Sequence, residues 1–337
     1  MIRENKFLRF VKSSGQVVPI INLHGLKLEG AEKKSLAETF GRVCSEIGFF
    51  YVENHGVSEE FLDNVKSQMH AFFDLPFDVK NEIHISKSIY HRGYVPSREE
   101  NALGSELKDI KEVFDMALEL PMDDPDVIAK KFFHGPNAFP ESLPEFKVAM
   151  LGLYDEWRGI CEYTSSLMAL ALGLKEDYFS DKFTKPMSQL RAAKYPSQKI
   201  INEVSEIGCG AHTDYSLHSV IWQMDEPGLQ IQNLNGDWID APVVPGAFVC
   251  PLGDSTAMWT NNYWKATIHR VINLTEKMRH SSAFFYDPNF EIDMSPIEKF
   301  VDENNPPQFE PITMGEHIEK NFNGTFEYRA TETEELV

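Results

Sequence analysis

Between Ser188 and Pro288 the chain is a succession of short β-branched and aromatic runs: HSVIWQ, GLQIQ, DWIDAP, AFVCPLGD, KATIHRVIN and SSAFFYDP, each bounded by turn-forming residues. Strands this short and this regularly spaced bury their apolar faces only against one another, so they predict an all-β sandwich or barrel. The sequence before them has a different texture. VPIINL (18–23) predicts a strand, and Leu36, Phe40, Val43, Cys44 and Ile47 form one stripe of a helix that ends at Gly48. GFFYVENHGV predicts a buried strand turning at Asn54-His55-Gly56, with Ser58 as N-cap of a helix carrying Phe61, Val65 and Met69. A charged stretch without periodicity runs from about Asp78 to Glu112, and a long helix follows with Phe146, Met150, Leu153, Trp157 and Ile160 on one face, closed by Gly173. No repeat or Gly/Ser linker separates these parts, so the helices are expected to pack on the β-core. The expected class is mixed α/β with an all-β core.

With 337 residues the chain can bury a sizeable core without disulfides. Lys and Arg number 32 against 52 Asp and Glu, a formal net charge of −20, which makes nucleic-acid backbones and anionic lipid poor partners. Cys44, Cys161, Cys209 and Cys250 form no C-x-x-C pair and read as free thiols of a reducing compartment. The N-terminus lacks an apolar signal-like run, and the longest clean apolar segment, LMALALGL (167–174), is too short for a membrane span. These features predict a soluble, cytoplasmic protein, a monomer or weak homo-oligomer, with a small molecule rather than nucleic acid or membrane as partner.

The sharpest chemical feature is His212-Thr213-Asp214. Residues at i and i+2 of an extended segment point the same way and can grip one metal ion, although an isolated His-x-Asp is more often a solvated turn. A third ligand is offered by His269 in KATIHRV, with His218 in SLHSVIWQ as its rival. Two imidazoles and one carboxylate make the facial triad of non-haem Fe(II) oxygenases, which leaves half the coordination sphere open. A structural zinc site would be closed by protein ligands, often thiolates, and no cysteine pattern supplies them. Beyond a turn-like stretch come Arg279 and Ser281. If KATIHRVIN and RHSSAFFYDP form a hairpin, alternation puts both residues on one face, which can be that of a barrel interior where a guanidinium calls for an anion; otherwise Arg279 is an exposed edge residue.

Taken together these residues resemble the isopenicillin N synthase-like group of Fe(II)/2-oxoglutarate-dependent oxygenases. VPIINL and GFFYVENHGV look like its N-terminal region, Lys194-Tyr195-Pro196 like its pre-core strand, and GLQIQ, Gly253-Asp254, TNNYWKATIHRV and RHSSAFFYDP like its double-stranded β-helix core. The resemblance implies a double-stranded β-helix (jelly roll, cupin-like) flanked by N-terminal helices. It divides the chain into an N-terminal mixed α/β region (1–130), a long helix and connection (131–187), the Fe(II)/2-oxoglutarate core (188–290) and a C-terminal segment covering the barrel mouth (291–337). It implies His212, Asp214 and His269 as iron ligands, Arg279 and Ser281 as the clamp on the distal carboxylate of 2-oxoglutarate, and Tyr195 as a contact to that co-substrate. The activity implied is a dioxygenase that hydroxylates or desaturates a small molecule with Fe(II), 2-oxoglutarate and O2.

The chain also departs from the pattern. Ala193 stands where many plant members have an Asn that contacts the co-substrate, and Pro251 and Asn262 replace an Asn and a turn Gly. Residues that would surround the substrate under this resemblance are Tyr90, His91, Arg92, Tyr94, Arg98, Phe322, Phe326 and Tyr328, all of which could equally be aromatic cover for the barrel. Two other functions compete. One is an oxidase like isopenicillin N synthase that binds its substrate carboxylate at Arg279 and Ser281 without 2-oxoglutarate. The other is a non-catalytic binding module.

Overall fold

The computed structural model describes residues 3–13, 15–100, 108–197, 206–326 and 328–329. From the N-terminus, β1 (Leu8–Ser13) and β2 (Gln16–Asn22) pair as a hairpin, followed by α1 (Gly30–Glu46), β3 (Phe49–Glu53), α2 (Glu59–Phe73) and α3 (Phe77–Glu82). Strands β4 (Gly93–Val95), β5 (Lys108–Asp109) and β6 (Glu112–Ala117) precede α4 (Pro125–Ile128) and the long α5 (Pro144–Ala171). The remainder is β-rich: β7 (Gln189–Tyr195), β8 (Glu206–Ile207), β9 (Cys209–His212), β10 (Ser219–Trp222), β11 (Leu229–Gln232), β12 (Trp238–Asp240), β13 (Ala247–Pro251), α6 (Asp254–Trp259), β14 (His269–Val271), β15 (Arg279–Phe285) and α7 (Met314–Thr325).

Local chemistry explains most boundaries. Ser58 accepts a hydrogen bond from the Phe61 N–H and so caps α2, as its sequence position predicts. Gly48 and Gly173 adopt the left-handed conformation just past α1 and α5. Thr313 and Glu316 form a capping box that starts α7.

The strands assemble into a nine-stranded sheet, ordered β1-β2-β3-β13-β10-β15-β7-β6-β4, and a four-stranded sheet, ordered β12-β11-β14-β9. Residues of both line one cavity, so the sheets face each other as the two walls of a jelly roll. The long helix covers the outer side of the large sheet. Its Trp157, fully buried, packs on Phe248 of β13 at 5.4 Å and Phe284 of β15 at 6.5 Å between ring centroids, and Phe146 stacks on Phe72 of α2 at 4.6 Å. Buried on both faces, β13 reads as the continuous apolar run AFVCP rather than as an alternation.

Two expectations are revised. KATIHRVIN and RHSSAFFYDP do not pair as a hairpin: β14 lies in the small sheet between β11 and β9, whereas β15 lies in the large sheet between β10 and β7. The segment between them crosses from one wall to the other. The charged stretch from Asp78 to Glu112 contains α3 and β4 and leads into β6, whose alternation is hidden because Asp115, an inward position, is itself charged. Residues 330–337 of the C-terminal segment lie outside the described residues. Among those described, all four cysteines are free and buried, and no helix is long and apolar enough to cross a membrane.

Because Trp157 joins α5 to two strands of the large sheet, Trp157→Ala is expected to cost about 3–5 kcal/mol of stability. Urea unfolding measures this, and a loss below about 1 kcal/mol would mean that the helix is not held to the sheet in this way.

Candidate active site

His212 ends β9 and His269 begins β14, and the antiparallel register sets them directly opposite each other. Their rings stand 4.3 Å apart between centroids. Asp214 lies in the turn after β9, and its Oδ1 is 3.6 Å from Nε2 of both histidines. One donor atom from each residue lies within 4.8 Å of the others, close enough to share a single ion.

The surrounding groups aim these atoms. His212 Nδ1–H donates to the Gly210 carbonyl at 2.8 Å and His269 Nδ1–H to the Thr267 carbonyl at 3.1 Å, which leaves both Nε2 lone pairs free for a metal. Ser219 Oγ donates to Asp214 Oδ2 at 2.5 Å and leaves Oδ1 to face the imidazoles. Burial alone would raise the Asp214 carboxyl, but the two imidazoles and Ser219 bring it down to about 2, so it is an anion at neutral pH. Behind this group, Asp109 accepts from the Gly210 N–H at 2.9 Å and pairs with Lys111 at 2.6 Å, bracing the strand that carries His212. The rival ligand His218 is turned away: it is fully buried, its Nε2 meets Thr164 Oγ1 at 2.8 Å, and burial pushes its pKa down to about 4. It is a neutral core residue.

Arg279 is fully buried on β15, directly opposite Tyr195 of β7. Its Nη1 donates to Ser281 Oγ at 3.1 Å and its guanidinium lies 4.9 Å from the Tyr195 ring centre. Nε and Nη2 are buried with no hydrogen-bond partner among the described residues. An interior guanidinium with two unused donor groups is costly unless an anion meets them. Gly228 leaves the room that this side chain needs: at φ +145° it passes Arg279 so closely that an added Cβ would stand 3.1 Å from Cδ. Cys209 links this pair to the triad. Its thiol is 3.8 Å from His212 Nδ1 and within electrostatic reach of Arg279.

Beside the triad opens a cavity of about 310 Å³, a volume suited to a small molecule. His212 and Asp214 form part of its wall, Gln189, Arg191 and Phe285 come from the large sheet, and α7 contributes Ile318 and Phe322. Of the aromatic and basic residues singled out in sequence, Phe322 and Phe326 line it. His91 stands one layer behind, its ring 4.4 Å from Phe322 and its Nδ1 2.5 Å from Tyr328 Oη. Arg92 is buried against the Tyr90, His91 and Phe133 carbonyls, Tyr94 bonds Glu112 at 2.7 Å, and neither of these, nor Tyr90 or Arg98, reaches the cavity wall. Several wall residues were missed in sequence: Glu100, Asp109, Lys111, Gln189, Arg191 and Asp287. For half of these a signal existed. Counting back in twos from Tyr195 gives Arg191 and Gln189, and counting forward from Arg279 gives Phe285 and Asp287.

Comparison with known proteins agrees with this geometry. Residues 18–142 match the family described as non-haem dioxygenase in morphine synthesis N-terminal, and residues 186–288 match the 2OG-Fe(II) oxygenase superfamily. The chain is 33% identical over 322 residues to homoarginine-6-hydroxylase 2-ODD-C23.2 of Arabidopsis thaliana, covering 90% of this chain and 87% of the relative. It is 32% identical over 283 residues to the 2-oxoglutarate-dependent dioxygenase citB of Monascus ruber, covering 82% and 84%. Among solved structures, a full-length Neurospora crassa protein in complex with alpha-KG superposes with a TM-score of 0.77 at 25% identity, covering 92% of this chain and 97% of that one. A 2OG-Fe(II) oxygenase family protein from Caulobacter crescentus superposes with a TM-score of 0.79 at 25% identity, covering 93% and 99%.

Since Ser219 fixes which Asp214 oxygen faces the imidazoles, Ser219→Ala is expected to weaken divalent-metal binding about 10–100-fold. Titration of the metal-free protein with Fe(II) under anaerobic conditions reads this directly, and unchanged affinity would remove Ser219 from the site.

Proposed function

The chain belongs to the 2OG-Fe(II) oxygenase superfamily, and from that premise we propose that His212, Asp214 and His269 hold its Fe(II) while Arg279, with Ser281 and Tyr195, binds the distal carboxylate of 2-oxoglutarate. The protein is an oxidoreductase, a dioxygenase that acts on a small molecule with Fe(II), 2-oxoglutarate and O2. The bound iron supplies the oxidation in which a substrate C–H, 2-oxoglutarate and O2 become the alcohol, succinate and CO2.

The observation that carries the assignment is the buried Arg279, whose Nε and Nη2 lack partners among the described residues. Its charge meets the far carboxylate of the co-substrate, and Ser281 holds the guanidinium while offering a hydroxyl to the same group. Tyr195 packs against the guanidinium face and fixes its plane. His212 and His269 present Nε2 because their Nδ1–H groups are engaged, so binding needs no tautomer change. The apolar wall at Phe322 and Phe326 keeps water from the space beside the triad, where the substrate C–H is to lie.

The alternative oxidase reading, in which Arg279 takes the substrate's own carboxylate, is not favoured, because the matching relatives are named 2-oxoglutarate-dependent. A non-catalytic module gives no account of an open metal face beside an unpaired buried cation. Homoarginine, in the name of several relatives, supports a substrate the size of an amino acid. Four buried free thiols are in keeping with a cytoplasmic location.

Anaerobic addition of Fe(II) and 2-oxoglutarate is expected to give the weak visible charge-transfer band of the chelate. His212→Ala is expected to abolish it with the loss of iron binding. Arg279→Ala is expected to retain iron and raise the 2-oxoglutarate concentration needed for the band by at least about tenfold, since a charge-assisted pair is removed. Iron binding without any band in the unaltered protein would overturn the co-substrate assignment.

A further inference from the structure

Two cations, Lys111 and Arg191, line the cavity beside the triad, and both are engaged by the chain itself. Arg191 makes two bonds to Asp115, at 2.8 and 2.7 Å, and one to Glu100 at 2.7 Å, and Lys111 pairs with Asp109 at 2.6 Å and Glu100 at 3.7 Å. Neither is left over for an acid group on a substrate.

Two other polar side chains on this wall are incompletely satisfied. Gln189 is 5% exposed, and its Nε2 is a buried donor with no acceptor among the described residues. Asp287 is 3% exposed, and its Oδ1 has no hydrogen-bond partner among them either. The two side chains share one face, since Gln189 pairs across with Phe285, two residues before Asp287, and both line the cavity. Ser188 fixes their spacing: its Oγ donates to the Asp287 carbonyl at 3.2 Å and accepts the Asp287 N–H at 3.1 Å. Burial above all, with the Asp214 charge second, holds the Asp287 carboxyl well above its ordinary range, so it keeps its proton and is a donor, as the Gln189 amide is. A buried donor is costly until an acceptor meets it. A carbonyl oxygen has two lone pairs, takes both donors at once and brings no charge with it. Phe133, Phe322 and Phe326 offer apolar surface for the carbon chain attached to it.

We propose that Gln189 and Asp287 are the substrate-selecting residues of this cavity and that together they bind an uncharged carbonyl oxygen of the primary substrate, as in a carboxamide, a ketone or a lactone. The inference rests on the reading of the triad as a 2-oxoglutarate-dependent iron centre and adds to it the group by which the primary substrate is held. A carboxylate or an ammonium at this position is disfavoured: the first finds no unused wall cation, and the second gains no counter-charge and leaves the Gln189 donor unmet.

The test uses the full chain with Fe(II) and 2-oxoglutarate and reads substrate-dependent succinate together with the product mass. Probes matched on a pentyl chain are compared: hexanamide and 2-heptanone carry the uncharged carbonyl, hexanoate replaces it with an anion, and hexylamine replaces it with a cation. At least one carbonyl probe is expected to raise succinate formation at least about tenfold over the substrate-free rate, with hexanoate and hexylamine near background. Gln189→Leu and Asp287→Leu are each expected to raise KM for that probe at least about tenfold with the charge-transfer band retained, and Asp287→Asn, which keeps an uncharged donor in the same shape, to recover most of that loss. No stimulation by either carbonyl probe, equal stimulation by hexanoate or hexylamine, an unchanged KM in Gln189→Leu, or an Asp287→Asn variant as impaired as Asp287→Leu overturns the proposal. Should a variant fail to fold, the comparison of probes on the unaltered protein decides alone. Absence of the band in the unaltered protein is instead the failure of the iron and 2-oxoglutarate reading.

Discussion

The pairing of His269 with His212 across β14 and β9 is the constraint on which the site depends. Neither residue is near the other in sequence, and neither is anchored by a helix. What brings them together is a three-residue strand whose ladder hydrogen bonds fix which side chains face the interior. A slip of one residue would turn His269 outward and bring Arg270 in, exchanging a neutral imidazole for a cation beside Asp214. The small sheet is short, so its register needs outside support, and much of that comes from Asp109, which holds the Gly210 N–H two residues before His212. The triad is therefore braced by a carboxylate that is not one of its members.

That bracing explains a costly feature of the interior. Lys111, Asp109, Glu100, Arg191 and Asp115 form a chain of buried charges running from β9 to the β6–β7 pair. Burying ions offers little net stability compared with an apolar core, so such a chain is better understood as fixing geometry. Each member has a partner that only one arrangement of the two sheets supplies. Asp115 stands opposite Arg191 in the strand register, and Arg191 reaches from there to Glu100, which also pairs with Lys111. The large sheet and the strand carrying His212 are thereby locked at one separation, which the cavity between them requires.

The parts of this protein legible in sequence are those where burial and chemistry agree. The stripe of α5 from Phe146 to Ile160, the Ser58 cap and the His212-Thr213-Asp214 turn each follow one local rule that the tertiary structure does not override. The parts that stayed hidden are those where chemistry breaks the pattern. Strand β6 carries an inward Asp115 where an apolar residue would have revealed a strand, and α7 has both a Thr-x-x-Glu start and an apolar stripe of Met314, Ile318 and Phe322 that could have been noticed. The expected hairpin failed for another reason: ten residues separate His269 from Arg279, and nothing local distinguishes a turn that returns to its own sheet from one that crosses to the opposite wall. The inward position inferred for Arg279 survives because alternation along β15 does not depend on which sheet the strand joins.

Strand β15 and its extension give the site a direction. Alternate positions carry Arg279, Ser281, Ala283, Phe285 and Asp287, so one face changes from a cation and a hydroxyl, through a small and an aromatic residue, to an acid. A strand rises about 3.3 Å per residue, which puts roughly 26 Å between the first and last of these, enough to hold two ligands end to end. The guanidinium end suits an acid and repels a cation, whereas burial and the nearby Asp214 hold the Asp287 carboxyl well above its ordinary range, so that end offers a neutral hydrogen-bonding group. On the proposed assignment an acid group is drawn to the Arg279 end of this wall, and a ligand that brought a cation there instead would meet a like charge. Orientation of this kind follows from the alternation of a single strand and needs no moving part.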